Sequence, residues 1–212
     1  MTMRPNLFDM TSSKAQAKRI ESLAFDLKDV DTFNLSFSQR LVKHVEAIIK
    51  VPNRCKKGFI DGNDFSALFV DSLIQSGINP ANIKTEVRCK KYVAEIDVLV
   101  LDKNFNAQAF HLKTSARERW RQAERDCVYF TNQFTNAMEM ALGEEARLIK
   151  EPVRHYVVMV REYKETTPSQ AVDFCRRKRG SYAFLSGFLS IYDQKELDEI
   201  VRSVSNPAAL FA

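Results

Sequence analysis

Two pairs of polar residues, set two apart in neighbouring apolar runs, mark the stretch of this chain most able to do chemistry. Within residues 93–126 (VAEIDVLVLDKNFNAQAFHLKTSARERWRQAERD), Glu95 and Asp97 open the first run, and His111 and Lys113 close the second. Residues two apart on a strand share a face, so each pair projects from one side of its strand. The polar turn Asp102-Lys103-Asn104 between the runs predicts that the two strands fold back on each other. An acid and a lysine then meet at the ends of adjacent strands. Carboxylate oxygens suit the hard cation Mg²⁺, which is usually held by one or two carboxylates and several waters. Such an ion neutralises charge on a scissile phosphate and acidifies a bound water. A nearby ammonium orients that water and offsets the developing negative charge. The grouping therefore fits phosphodiester hydrolysis.

Each of these residues also has a plainer use. An aspartate at a strand end is commonly a turn former, a lysine there is commonly solvated, and a histidine in an apolar run is more often a satisfied core residue than a base. Glu95 could equally form a sheet-surface ion pair with Lys90 or Lys91. For Trp120, packing under the sheet is the simpler expectation, and for Glu46, a solvated helix face.

The elements that must position these side chains follow from apolar periodicity. Lys18–Leu27 and Ser36–Lys50 step as helices, the second with Leu41, Val45, Ile48 and Ile49 on one face and Ser38 as its N-cap. The loop VPNRCKKGFIDGND holds turn chemistry, after which Asp64 caps a helix ending near Gly77. From Ile83 the period becomes that of strands. Lys84–Lys91, Tyr92–Leu101 and Ala107–Lys113 form a meander, with Asn104 in the tight turn between the last two. Ser115 to about Leu142 reads as one long helix, opened by a Ser115/Glu118 capping box and buried along Ala116, Trp120, Ala123, Cys127, Phe130 and Phe134. His155–Tyr163 is a central strand, Pro168-Ser169 starts a helix running Gln170–Lys178, residues 182–192 lean to strand, and Gln194–Val204 is a terminal helix. The expected fold class is α/β (α+β), a mixed central sheet flanked by helices.

A chain of 212 residues is read as a single domain, 1–212, with residues 1–17 a flexible arm. Such a length buries about 70% of the surface that the unfolded chain exposes. No run approaches the ~18 apolar residues of a membrane span, and the N-terminus lacks the apolar core of a secretory signal, so a cytoplasmic protein is expected. The net charge of +5 is compatible with a polyanionic partner. Cys55, Cys89, Cys127 and Cys175 are scattered, with no CxxC pair, and read as reduced, mostly buried thiols. Neither a phosphate-binding loop nor a serine-hydrolase elbow is present.

Over roughly residues 84–130 the chain resembles the PD-(D/E)xK nuclease superfamily, specifically the type II restriction endonucleases. That pattern places an aspartate on one strand and Glu-x-Lys on the next, ten to twenty residues later. Asp97 and Lys113 fit the spacing, while His111 stands where the pattern has an acid. The departure is similar to the EcoRII-like branch, in which the second carboxylate has moved to the following helix, about thirteen residues past the lysine. That branch carries a segment like KTTCxxRWRQ after the lysine, matched here by Lys113-Thr114-Ser115 and Arg119-Trp120-Arg121-Gln122. Counting thirteen on from Lys113 reaches Asp126, the favoured second carboxylate, with Glu124 next; at 100° per residue the two lie about 200° apart round a helix, so both cannot serve one site.

The resemblance implies a Mg²⁺-dependent, site-specific endodeoxyribonuclease with a restriction-endonuclease-like fold, acting as a homodimer on a short palindrome in double-stranded DNA and leaving 5′-phosphate ends. Asp97 and Asp126 would hold the metal, with His111 and Glu95 as further catalytic candidates. Because the segment after the lysine lies close to DNA in the related nucleases, one or two of Arg117, Arg119, Arg121 and Arg125 are expected on phosphates. Lys56 and Lys57, in the glycine-bearing loop, are further DNA-binding candidates. So is the run Arg176, Arg177, Lys178 and Arg179, although cations in a last helical turn also complement the helix dipole with no ligand at all. Two other functions remain open: a structure-selective or repair nuclease on the same fold, and a non-cutting DNA-binding protein on a decayed one.

Overall fold

The chemistry-bearing hairpin lies inside a mixed sheet. The computed structural model describes residues 14–52, 54–55, 59–89, 94–102, 104–115, 122, 125–126, 128, 149–161, 166–180 and 185–205. Three helices come first: α1 (Lys14–Asp26), α2 (Phe37–Lys50) and α3 (Gly62–Gln75). They are followed by β1 (Ile83–Cys89), β2 (Ala94–Leu101), β3 (Asn106–Ser115) and β4 (Lys150–Arg161), then α4 (Pro168–Lys178), β5 (Gly187–Ser190) and α5 (Gln194–Ser205). Among the described residues the sheet has the order β1-β2-β3-β4-β5, antiparallel through β3 and parallel from β3 to β5. A mixed sheet flanked by helices is the architecture that the periodicity predicts. No described helix is long and apolar enough to cross a membrane.

Side-chain alternation gives the sheet two faces. Val98, Val100, Phe110, Leu112, Tyr156, Val158 and Leu189 point into the main core, against Leu41, Val45 and Ile48 of α2, Phe65, Leu68 and Phe69 of α3, and Leu197 and Val201 of α5. Val157, Met159 and Phe188 point the other way, onto Phe174 and Cys175 of α4. By the same alternation Asp97, His111 and Lys113 leave the main core and share the second face.

Several helix starts differ from expectation. α1 begins at Lys14 and buries Ala17 completely, so residues 14–17 are helix rather than arm. Ser36, not Ser38, caps α2: its hydroxyl accepts from Gln39 N while the Gln39 side chain accepts from Ser36 N. Ser38 is buried, its N–H donating 2.8 Å to Asp198 of α5. Asp61, not Asp64, caps α3. Asp64 instead sits in the first turn, buried, where Arg19 of α1 and Arg54 donate to it at 2.7 and 3.1 Å. β4 starts at Lys150, earlier than the strand read from His155, because Lys150 N donates 2.8 Å to Phe105 O at the hairpin loop. Between β3 and β4, Gln122, Arg125, Asp126 and Val128 are helical, and Ser115 is the last residue of β3. Glu118 and most of that long helix lie outside the described residues. Cys55 and Cys175 are free thiols.

The β2–β3 turn depends on one carboxylate. Asp102 Oδ1 accepts from Asn104 N at 2.7 Å and Asn106 N at 2.9 Å, and Oδ2 accepts from Asn106 Nδ2 at 2.7 Å. This holds Phe105 in the left-handed region, at φ 62. Asp102 is largely buried, so deleting its carboxylate leaves two N–H groups poorly satisfied. Asp102→Ala is expected to lower the unfolding free energy by about 2–3 kcal/mol, which urea denaturation measures directly.

Candidate active site

The site forms where β2 and β3 part. Their ladder runs from Leu101–Ala107 to Val98–Phe110 and then stops among the described residues. In that register Asp97 would face His111. Instead, its carboxylate replaces the missing ladder bond, with Oδ2 accepting from Leu112 N at 2.7 Å and from Lys113 Nζ at 3.2 Å. The two groups predicted to meet are therefore in contact, with both side chains mostly buried.

The third expected residue, Asp126, reaches the same field from the helix after β3. Its side chain is 2% exposed, and Oδ1 has no hydrogen-bond partner among the described residues. Arg125 Nε lies 3.9 Å from it. Burial pushes the Asp126 carboxyl up to about 6; Arg125 and Lys113 pull it down, and Asp97 and Glu95 add repulsion. Asp126 is thus electrostatically coupled to Lys113, Asp97 and Glu95 together. Glu95 is half-buried at the cleft wall. Glu124, the other acid considered, lies outside the described residues.

His111 does not open onto the site. It is fully buried, its Nε2 is 3.2 Å from His155 Nδ1, and the two rings stack at 5.5 Å. Burial, then repulsion from His155 and Lys113, holds it well below the ordinary imidazole range. The ring therefore does not line the cleft with Asp97 and Lys113.

An open cleft of about 880 Å³ runs from this hairpin to the starts of α1 and α3. Asp97, Glu95, Lys113 and Gln122 line one side, and Arg19, Arg54, Asp61 and Asp64 the other. Glu86 also lines it and was not picked out from the sequence. It stands level with Asp97 in the β1–β2 register, between the pairs Thr85–Val98 and Val87–Ile96, at φ 51. The sequence signal was an acid in the strand neighbouring that of Asp97, which only the register converts into proximity. Among the described residues, carboxylates outnumber cations round the cleft, five to three. Among the described residues, no three His, Cys, Asp or Glu side chains converge as a metal cage.

Among the described residues, the basic run Arg176–Arg179 does not line the cleft. Arg176 is 3.3 Å from Asp193, Arg179 pairs with Glu196, and Lys178 lies 5.8 Å over the Phe174 ring, so this basic run largely ties α4 to the start of α5 and to itself. Arg177 is exposed. Lys56, Lys57, Arg117, Arg119 and Arg121 lie outside the described residues.

No protein-family model matches the chain, and no curated protein matches it. A solved structure described as a restriction endonuclease PspGI-substrate DNA complex is similar, with a TM-score of 0.48 and 12% identity, over 91% of this chain and 93% of that one.

Proposed function

We propose that this protein is a Mg²⁺-dependent endodeoxyribonuclease of the type II restriction kind, a homodimer cutting double-stranded DNA at a short palindromic site. The observation that carries the reading is the contact of Lys113 with Asp97 at the parted ends of β2 and β3, with the buried carboxylate of Asp126 in the same field. A non-catalytic sheet has no physical need to bury two acids and a lysine together, since each ion loses hydration on burial.

Mg²⁺ fits the residues present. Two carboxylates with waters suffice for it, and the buried Oδ1 of Asp126, which has no hydrogen-bond partner among the described residues, is an oxygen that such an ion would satisfy. Asp97 and Asp126 would hold the cation, which supplies charge neutralisation at the scissile phosphate and acidification of water. Lys113 orients the attacking water and offsets charge on the phosphate. Asp97, by accepting from both Leu112 N and Lys113 Nζ, fixes the ammonium relative to the strand. Water adds to phosphorus, the bond to the 3′ oxygen breaks, and that oxygen takes up a proton, leaving 5′-phosphate and 3′-hydroxyl ends.

The test is digestion of a phage-length DNA by the purified protein, with Mg²⁺ or with EDTA. Discrete bands that need Mg²⁺ are expected, and sequencing their ends gives the site. A Mg²⁺-dependent smear would point to a structure-selective or non-specific nuclease. A gel shift with no cutting in either buffer would leave a DNA-binding module and sink the catalytic reading.

A further inference from the structure

Beneath the Asp97–Lys113 contact lies a polar pair that the proposed chemistry does not use. His111 of β3 and His155 of β4 are 0% and 1% exposed. Their rings are 25° from parallel, with Nε2 of one 3.2 Å from Nδ1 of the other. Both are held in the neutral form: burial lowers His155 to about 4 and His111 well below its ordinary value. Two neutral rings at that distance share one proton, one nitrogen donating and the other accepting.

The place of this bond in the sheet gives it a role. β3 has lost its ladder to β2 beyond Phe110, so past that point it is aligned by the Asp97 carboxylate on one side and by β4 on the other. His111 precedes Lys113 by two residues on the same face, and His155 lies on β4 beside Ala109. The His111 imidazole is also hydrogen-bonded to the main chain of Glu95 of β2, two residues before Asp97. The pair thus links all three strands at the point where they part. An ionised acid at position 111 would be fully buried at a high desolvation cost. A neutral pair gives the same connection without a charge.

We propose that His111 and His155 are positioning residues: their ring-to-ring hydrogen bond ties β4 to β3 at the parting of the strands and keeps Lys113 within bonding distance of Asp97. The proposal rests on the nuclease reading, since its consequence is a cleavage rate. Misplacement of a catalytic group by about 1 Å costs up to roughly a hundredfold in rate.

Wild type, His155→Leu, His155→Asn and the double variant His111→Leu/His155→Leu are compared for kcat and KM on a cleavable DNA, with melting temperature measured for each. His155→Leu should lose between about tenfold and a hundredfold in kcat with KM unchanged. Asparagine carries an amide atom where Nδ1 stands, so His155→Asn should recover most of that loss. The double variant replaces both polar partners with apolar ones, which keeps a core folded, and it should be no slower than His155→Leu. Wild-type kcat in a folded His155→Leu or double variant, or no recovery in His155→Asn, would overturn the proposal alone. A wild type that cleaves no DNA with Mg²⁺ would overturn the function, and the proposal with it.

Discussion

Lys113→Ala is expected to slow Mg²⁺-dependent cleavage by about a thousandfold or more while leaving DNA binding nearly intact. Removing a single preformed donor to developing charge costs about 10²–10³ in kcat in other hydrolases. Lys113 has a second duty as well, because its ammonium is the cation against which Asp97 is set at 3.2 Å. Without it, the mutual repulsion of Asp97, Glu95 and Asp126 loses one of the cations that offset it, Arg125 remaining beside Asp126. Lys113→Arg should not rescue the rate, since a planar guanidinium does not occupy the space of a compact ammonium. Single-turnover cleavage at saturating DNA measures the effect, with a gel shift in Ca²⁺ as the binding control. Cutting by Lys113→Ala within about threefold of wild type would remove the lysine from the mechanism, because a donor of this kind is worth at least about 10².

The second large effect concerns pH. The Asp126 carboxyl is raised by burial to about 6 in the cation-free protein. Below that pH it is protonated and cannot hold a dication, so the cleavage rate should fall about tenfold per pH unit beneath 6. Raising Mg²⁺ should move this limb to lower pH, because proton and cation compete for one carboxylate. Stability runs the opposite way. A carboxyl raised on folding contributes most where it is protonated in both states, below its ordinary value, and that contribution is lost as pH rises to about 6. Ionised Asp126 therefore costs the folded protein up to about 3 kcal/mol at pH 8, from two pH units at 1.36 kcal/mol each. Asp126→Asn should abolish cleavage, raise the unfolding free energy by about 1–3 kcal/mol at pH 8, and change it little at pH 4. Urea unfolding at the two pH values checks the sign. An equal change at both would show that Asp126 does not titrate in this range.

The strands were legible because the sheet is locally patterned: the apolar run Val98–Leu101, the polar Asp102-Lys103-Asn104 and the second run ending at Lys113 dictate a hairpin with almost no help from the rest of the chain. That is why Asp97 and Lys113 could be paired from sequence. Helix starts were less legible, since Ser36 and Ser38, or Asp61 and Asp64, are equally good caps by composition. Long-range partners decide between them: Asp198 takes the Ser38 N–H, and two arginines take Asp64. Arg176 and Arg179 looked like surface cations because Asp193 and Glu196 lie seventeen residues further on, across β5. The same holds for His111, whose partner His155 is forty-four residues away on a parallel strand. Parallel pairing leaves no local trace comparable to a turn.

The surplus of carboxylates round the cleft bears on how two ligands would influence each other. Among the described residues, Asp61, Asp64, Glu86, Glu95 and Asp97 stand against Arg19, Arg54 and Lys113, while the chain as a whole carries +5. The net positive charge favours a polyanion, while the described carboxylates of the cleft oppose one at short range. On the proposed function, a divalent cation entering the cleft lowers that repulsion, and DNA supplies phosphate oxygens to the cation. Thermodynamic linkage then requires that each raise the affinity of the other by the same factor. Cation affinity measured on free protein would therefore understate cation affinity at the working site, and DNA affinity measured in EDTA would understate by an equal ratio.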